Sequence, residues 1–455
     1  MKKALRFCSI MLATLLLFTA CGGNTGTPSA AENVEKSPSA APLTSAPQAS
    51  EVSSELQGVL TLLSFTEYHD AVQAAIDAFQ TSNPGITVNM EEYPYAQYSD
   101  AVEIKLGSSS KDFDVIMTDA TMVSAYAYRG WIAPLEGYFS TEEKARYASA
   151  LVDSSTYEGI FYSPPLCNSC QVLWYNKDLF DLAGLDYPSE DPSERLTWNK
   201  VVELSQQVMQ AANDNSIYGL TFEQVDRPYQ VLPIPNSYGG NAFAADGMTV
   251  DGYLNSEAFV KGMQFYADIH NTYNIAPKGT SPSDSLGLFT AGKLLFVAGN
   301  IFDFSTFEAI ENLNYGFTAF PYFSDGIKVS PTDSWHVSLS SFSQNQDLAI
   351  EFIKYFTLGE GNDIFLDTRG AFAAKVETLE AYSSEPKYNE FPYTVFKLAS
   401  YEAQNTAYPR PSTLAYGEFE SIITSTFSDI RNGIDVQESL DAAVEQINSQ
   451  MAVYR

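Results

Sequence analysis

Two cysteines at short spacing are the first residues whose types suggest chemistry. Cys167 and Cys170 form a Cys-x-x-Cys motif. Outside the cytosol such a pair predicts a local disulfide, with two free buried thiols as the alternative. A zinc site would need two further ligands, and the chain's 3 histidines form no helical pair. Thioredoxin-type chemistry is also disfavoured, because Pro164 and Pro165 precede the motif and a predicted strand follows it, whereas a redox motif opens a helix.

Motifs of catalysis are missing from the sequence. It contains no Gly-x-Ser-x-Gly, no Gly-x-x-x-x-Gly-Lys-[Ser/Thr] and no His-Glu-x-x-His. The 56 acidic residues always offer two carboxylates for a glycosidase, but nothing singles out one pair. We therefore predict a protein that is not an enzyme and that uses no cofactor and no metal. A secreted glycosidase is the less favoured alternative.

Polar and aromatic residues that could bind a ligand follow two predicted strands. The first predicted elements are a strand at 59–65, a helix at 71–79, a strand at 86–90, a helix at 96–106 and a strand at 113–117. This alternation implies a parallel sheet with helical crossovers, and hence an α/β fold. Ligands of such sheets bind at the carboxyl ends of the strands. Those ends correspond here to residues 64–68 and 118–121.

The pattern restarts after Tyr162. The later predicted elements are strands at 171–175, 218–222, 294–297 and 315–320, and helices from Thr197, at 257–273, at 348–356 and over most of 416–451. No repeat of 20 to 50 residues is visible, which excludes solenoids and propellers.

The N-terminus carries an export signal. Three basic residues precede an apolar stretch at 10–18 that is too short to span a bilayer, and small residues follow it up to Cys21. We predict a signal peptide at 1–20 of the bacterial lipoprotein type, with a lipid on Cys21, although Phe18 replaces the usual Leu. An ordinary signal peptide is the alternative. Residues 21–57 lack aromatic side chains and predict a disordered tether, with a span of about 30–36 Å.

Composition and charge exclude one class of partner. The 455 residues carry 25 Lys and Arg against 56 Asp and Glu, a net charge of −31 that becomes −34 once the three basic residues of the signal are removed. Such a surface repels nucleic acid and anionic lipid, so any membrane contact must rest on the lipid anchor. The 13% of aromatic residues suits a neutral, aromatic-lined binding surface.

Together, several segments resemble one family. They are 159–165, 172–180, 183–185, Thr197-Trp198, 238–240, 289–293, 348–354 and 410–416. In this order they resemble the extracellular solute-binding proteins of bacterial ABC importers, in particular the sugar-binding group that includes the maltose-binding proteins. The resemblance covers about 59–451.

The resemblance implies a two-lobed periplasmic-binding-protein-like fold with a hinge and an interlobe cleft. The first lobe would comprise 58–162 and 318–358, and the second 163–317 and 359–455. It further implies a monomer anchored to the outer face of the cell membrane, which captures a mono- or oligosaccharide and delivers it to the transmembrane permease subunits. A polyol, peptide or other organic solute is the alternative ligand.

The resemblance also supplies candidate ligand residues at the strand ends. Glu67 and Tyr68 follow the first strand, with a solvated turn as the alternative for Glu67. Thr118, Asp119 and Thr121 follow the third strand, and Thr118 stands where maltose binders carry an aromatic residue. We expect Asp119 to accept two sugar hydroxyls and its loss to lower affinity without lowering stability.

Other candidates lie in the crossover and in the second lobe. Asn168 and Ser169 lie between the two cysteines, where the maltose group often has a carboxylate. Tyr229 matches a loop that supplies an aromatic platform, and Tyr238 could contact ligand or pack beneath the glycine pair that follows it.

The last candidates lie late in the chain. Asn300 and Phe302 could share polar and stacking roles, with core packing as the alternative for Phe302. We expect one of Trp335 and His336 to face the ligand. Arg410 could bind ligand hydroxyls, but an ion pair between the lobes is the stronger interpretation.

Overall fold

The computed structural model describes residues 57–281 and 284–455. The predicted signal peptide at 1–20, the lipid attachment at Cys21 and all but the last residue of the tether at 21–57 lie outside the described residues. No helix among the described residues is long and apolar enough to cross a membrane.

Nine of the strands form one sheet, and two short strands form a separate pair. Their bounds are β1 (Gly58–Phe65), β2 (Ile86–Tyr93), β3 (Val115–Asp119), β4 (Thr156–Tyr157), β5 (Ile160–Phe161), β6 (Pro165–Asn176), β7 (Tyr218–Phe222), β8 (Leu294–Asn300), β9 (Tyr315–Thr318), β10 (Ser330–Leu339) and β11 (Ala407–Pro409). The order is β2-β1-β3-β10-β6-β8-β7, with β11 beside β10 and β9 beside β6, while β4 and β5 pair separately. β1 lies parallel to β2 and β3, which confirms the predicted parallel arrangement.

Strand β6 joins two groups of strands. Its first half pairs antiparallel with β10, from Pro165 opposite His336 to Cys170 opposite Thr332. Its second half pairs with β8 and β9. We call the group around β1, β2, β3 and β10 the first lobe, and the group around β7, β8 and β9 the second lobe. All of β6 is buried, as expected for a strand that is covered on both faces.

The predicted disulfide is wrong. Cys167 and Cys170 are both buried and both free. The strand predicted to follow the motif begins before it, at Pro165, so the two cysteines lie within β6. Residues three apart on a strand point to opposite faces of the sheet, which separates the two thiols. Burial raises the pKa of the Cys167 thiol to about 12, which keeps it protonated.

Helices cover both lobes. Their bounds are α1 (His69–Ser82), α2 (Tyr95–Gly107), α3 (Val123–Tyr128), α4 (Thr141–Lys144), α5 (Ser149–Ser154), α6 (Lys177–Ala183), α7 (Trp198–Ala212), α8 (Pro228–Val231), α9 (Pro233–Ser237), α10 (Glu257–Asn271), α11 (Asp284–Thr290), α12 (Asp303–Glu308), α13 (Gln346–Leu358), α14 (Glu360–Arg369), α15 (Val376–Ser384), α16 (Thr394–Asn405), α17 (Tyr416–Arg431) and α18 (Val436–Met451). Local sequence defines several ends. Thr197 caps α7 by accepting from Lys200 N, and Gly184 ends α6 in the left-handed conformation that glycine favours.

Helix packing moves one predicted boundary. The first lobe was expected to end at residue 358, but α14 packs on α1 and α13 of that lobe. Phe365 of α14 lies 5.5 Å from the ring of Tyr68 and 5.6 Å from that of Phe356. These contacts place α14, up to Arg369, with the first lobe.

A buried ion pair fixes the start of β10. Arg195 and Glu402 pair with side chains that are 1% and 0% exposed. Arg195 also donates to Phe320 O at 2.7 Å, and Glu402 accepts from Ser330 and from Thr406, the latter at 2.6 Å. The pair therefore ties together four segments that are distant in sequence.

Candidate functional site

The carboxyl end of β3 meets an arginine that follows β11. Arg410 Nη2 lies 2.6 Å and 2.8 Å from the two carboxylate oxygens of Asp119, and it also pairs with Asp333. The Arg410 side chain is 7% exposed and that of Asp119 is 16% exposed. Arg410 therefore forms an ion pair, but these two partners lie on β3 and β10 of the first lobe. β11, which precedes Arg410, pairs with β10, so the predicted pairing between the lobes is not shown.

Strand register explains why these groups meet. Asp119 lies opposite Trp335 in the pairing of β3 with β10, and Thr332 of β10 lies beside Pro409 in the pairing with β11. Asp333 of β10 therefore lies between the carboxyl end of β3 and the carboxyl end of β11. Arg410, directly after Pro409, reaches both carboxylates.

The arginine also controls the ionisation of Asp119. Burial alone would raise the pKa of this carboxyl, but the charge of Arg410 and hydrogen bonds from Arg410 and Thr121 outweigh burial and lower it. Thr121 donates to Asp119 from its backbone N at 3.1 Å and from its hydroxyl at 2.8 Å. Asp119 is therefore an ionised acceptor whose orientation is fixed.

Two hydroxyl groups lie beside this ion pair. The Ser169 hydroxyl and the Tyr229 phenol hydrogen-bond at 2.7 Å, and Ser169 also donates to Asp333 O at 3.1 Å. The Arg410 guanidinium lies 5.6 Å from the centre of the Tyr229 ring. β6 thus brings Ser169 of the crossover into contact with Tyr229 of α8.

An aromatic cluster borders the same region from the first lobe. Half-buried Trp335 lies 4.7 Å from Phe65 and 6.2 Å from Tyr95 between ring centroids. Phe65 in turn contacts Tyr68 at 4.3 Å. These rings stand at the carboxyl ends of β1 and β3, where the parallel sheet is expected to present ligand groups.

A hydrogen bond connects the two lobes beside the site. Arg227 of the second lobe donates to the Tyr95 hydroxyl of the first lobe at 2.6 Å. Arg227 also lies 3.4 Å from a carboxylate oxygen of Glu420 on α17. Burial would lower the pKa of Arg227, but its interactions with the Tyr95 hydroxyl and the Glu420 carboxylate outweigh burial and raise this pKa, so the guanidinium stays charged.

The sequence matches a described family. The sequence model of the family described as bacterial extracellular solute-binding protein matches residues 64–362 of this chain. The chain belongs to this family.

Individual relatives of this solute-binding protein are distant. It is 24% identical to the galactooligosaccharide-binding protein of Bacillus subtilis over 85% of this chain and 87% of the relative, and 21% identical to the mannitol-binding protein of Pseudomonas aeruginosa over 84% and 87%. A binding protein of Brucella abortus is 24% identical over 54% of this chain, and the match spans only 58% of that protein.

Solved structures show the same two-lobed α/β fold. A Listeria monocytogenes ABC substrate-binding protein, solved in complex with cycloalternan, superposes with a TM-score of 0.76 at 20% identity, covering 87% of this chain and 99% of that one. The GacH receptor of Streptomyces glaucescens, solved unliganded and with acarbose, gives 0.74 at 20% identity, covering 88% and 100%. The periplasmic-binding-protein-like fold predicted for this solute-binding protein is confirmed.

Four predicted site residues point elsewhere. The Glu67 carboxylate lies in an exposed turn, where it accepts from Tyr95 N at 3.1 Å. Thr118 is buried and shares a hydrogen bond with Ser338 at 2.7 Å. Tyr238 stacks on a second-lobe ring, Phe323, at 4.3 Å.

The fourth of these residues is His336. Its ring is fully buried, with Nδ1 2.8 Å from Ser163 O and Nε2 2.6 Å from the Ser334 hydroxyl. Burial lowers its pKa to about 4, so the ring is neutral at pH 7. Of the pair Trp335 and His336, only Trp335 joins the aromatic cluster, because neighbours on a strand face opposite sides.

The remaining candidates lie near the site. Asn168 is buried, accepting from Ser169 N at 2.8 Å and from Thr332 at 3.2 Å. Asn300 accepts from Phe302 N at 3.1 Å, and its own N donates to Glu223 at 2.9 Å. Asn168 therefore supports the crossover, and Asn300 shapes the end of β8.

Sequence reasoning missed several site residues. Asp333, Glu420, Tyr95, Glu223 and Arg369 lie among the site groups but were not singled out. Because the chain has few basic residues, its composition could have indicated that an arginine such as Arg369 has a specific role. The acids had none, because 56 acids give no contrast.

Two further features complete the description. A cavity of about 310 Å³ lies between the 241–247 loop and the 408–412 segment, lined in part by Asn236, Asn241 and Tyr408. Within the described ranges, no three His, Cys, Asp or Glu side chains are grouped to hold a metal ion.

Proposed function

We propose that this chain is the lipid-anchored substrate-binding subunit of an ABC importer, which captures a mono- or oligosaccharide between its lobes and delivers it to the permease. The observation that carries the proposal is the group formed by Asp119, Arg410, Ser169, Tyr229 and Trp335. It combines a fixed carboxylate and two hydroxyls with aromatic rings at the junction of the two lobes.

Sugar chemistry fits this combination. Ring hydroxyls need planar or hydroxyl partners, whereas the C–H faces of a sugar are apolar and pack against aromatic rings. Arg410 and Arg227 are paired with Asp119, Asp333 and Glu420, so the positive charges of these two arginines are balanced by carboxylates of the protein. The mutual neutralisation of charges supports an uncharged cargo.

The position of the site supports the importer role. A ligand that contacts both lobes stabilises the closed form by its differential affinity, and a permease can distinguish that closed form from the open one. The hydrogen bond from Arg227 to the Tyr95 hydroxyl already joins the two lobes, which supports a closed form of this kind. Family membership supports binding and not catalysis as the activity.

We further propose that the protein acts as an exported monomer held on the outer face of the cell membrane by a lipid on Cys21, with no cofactor. A polyol is the second candidate cargo, because one relative that spans most of the chain is a mannitol-binding protein. A glycosidase role is the weakest alternative.

A thermal-shift screen of sugars, polyols, amino acids and peptides tests the proposal. We expect a mono- or oligosaccharide to raise the melting temperature and to be recovered unchanged. Hits confined to amino acids or peptides would exclude the sugar, a hit confined to polyols would select the second candidate, and a released product would show catalysis.

A further inference from the structure

Arg369 occupies an unusual position between the lobes. It ends α14 of the first lobe, and its guanidinium lies 5.0 Å from the ring centre of Tyr68 and 5.5 Å from that of Phe302. Tyr68 follows the carboxyl end of β1 in the first lobe, and Phe302 follows the carboxyl end of β8 in the second. The guanidinium is therefore held between aromatic rings of both lobes, at the edges where ligands of such sheets bind.

This arginine differs from the other two at the site. Arg227 and Arg410 each have a carboxylate partner, whereas no carboxylate in the described part of the chain forms an ion pair with Arg369. Its one hydrogen bond recorded there runs from Nη1 to the Ser305 hydroxyl at 3.3 Å, and its Nε is buried without a partner. Because a buried N–H without an acceptor is costly, this group has donor capacity for an incoming oxygen.

The surroundings indicate which kind of oxygen fits. Glu223 and Asp303 lie close enough to interact electrostatically with Arg369, although neither pairs with it directly. Asp303 Oδ2 is also buried without a partner. Burial raises the pKa of both carboxyls and so favours their neutral forms. A ligand hydroxyl could accept from the arginine and also share a hydrogen bond with one of these acids.

We infer that Arg369 is a ligand-contacting residue that donates to a hydroxyl oxygen of the sugar. The inference rests on the proposed function, because it assigns a further contact to the same cleft. It adds a determinant on α14, outside the Asp119 and Arg410 group.

The test uses the purified full chain in detergent, with isothermal titration of neutral sugars, hexuronic acids and hexose phosphates. R369A removes the donor, R369K keeps the charge without the planar donors, and R146A is the matched control, since Arg146 pairs with Glu377 on the surface. We expect R369A to weaken binding of the neutral sugar at least about tenfold, with R369K intermediate and R146A within about twofold.

A series of deoxy analogues of that sugar separates contact from mere packing. The analogue that lacks the contacted hydroxyl should bind the wild type about tenfold more weakly than the parent sugar does. It should bind R369A as tightly as the parent sugar does, because the substitution and the missing hydroxyl remove the same hydrogen bond. If R369A does not fold, R369K carries the same comparison.

Other results would overturn the proposed contact or the proposed function. If R369A binds the neutral sugar within twofold of wild type, the proposed contact is wrong while the proposed function stands. The same follows if, for every analogue, the loss of affinity caused by R369A adds in full to the loss caused by the missing hydroxyl. A wild type that binds only sugar acids or sugar phosphates overturns the contact with a hydroxyl oxygen. If the wild type binds no sugar of any kind, the proposed function fails and this inference fails with it.

Discussion

The ion pair between Asp119 and Arg410 gives the most detailed prediction. Asp119→Asn keeps the shape of the side chain and removes its charge, which leaves Arg410 with fewer anionic partners in a setting where it is 7% exposed. Removing one member of a buried pair costs about 3–5 kcal/mol when nothing replaces it. Here Asp333 remains paired and Glu420 lies 3.8 Å away, so we expect a smaller loss of about 1–3 kcal/mol in the free energy of unfolding.

The pH dependence of this loss has a definite sign. The pKa of Asp119 is lowered in the folded protein, so its contribution is present above the unfolded pKa of about 4 and is lost as pH falls through the folded pKa. Wild type and Asp119→Asn should therefore differ at pH 7, and the difference should shrink as the pH falls below about 4. This revises the expectation from sequence that losing Asp119 would leave stability unchanged.

Urea unfolding of the protein from Gly58 onward, at several pH values, measures both effects. Asp77→Asn is the matched control, because Asp77 is an exposed acid on α1 and should change stability by less than about 0.5 kcal/mol. A loss below about 0.5 kcal/mol for Asp119→Asn at pH 7, or a difference from wild type that does not shrink as the pH falls below about 4, would refute the reasoning.

Three further predictions concern buried groups. Glu402→Gln should destabilise the protein by about 3–5 kcal/mol, because it leaves Arg195 without its buried anion; a urea midpoint like that of wild type would contradict this. The His336 pKa of about 4 predicts that stability falls by about 1.4 kcal/mol per pH unit from pH 6.5 to 4, and that His336→Gln flattens this slope in urea titrations. Cys167 and Cys170 should resist a thiol reagent in the native protein and both react in denaturant without reductant, whereas no reaction would indicate a disulfide.

The fold was accessible from sequence because its signals are local. Apolar runs near 59–65 and 113–117 identified strands, and the intervening helix pattern required parallel pairing. The cysteine error has an equally physical origin. The spacing of Cys167 and Cys170 suits a turn, but the strand that contains them begins earlier than its hydrophobic pattern shows, since Asn168 and Ser169 interrupt it.

The site was only partly accessible, because it depends on register and tertiary contacts. The register of β10 against β3 determines whether Trp335 or His336 faces the aromatic cluster. The sequence does not reveal this register, because the residues directly before Trp335 are polar and show no alternation of apolar and polar side chains. Asp333 and Glu420 acquire their roles only when β11 and α17 place Arg410 beside them. Ion pairs between segments that are distant in sequence cannot be recognised from the pattern of either segment alone.

A crystal structure of the complex with the sugar found in the screen tests the central claim most directly. We predict sugar oxygens within hydrogen-bond distance of Ser169 or Tyr229 and an apolar sugar face against Trp335, between the two lobes. Density for the sugar in the cavity between the 241–247 loop and the 408–412 segment, with the interlobe groups unoccupied, would contradict the account.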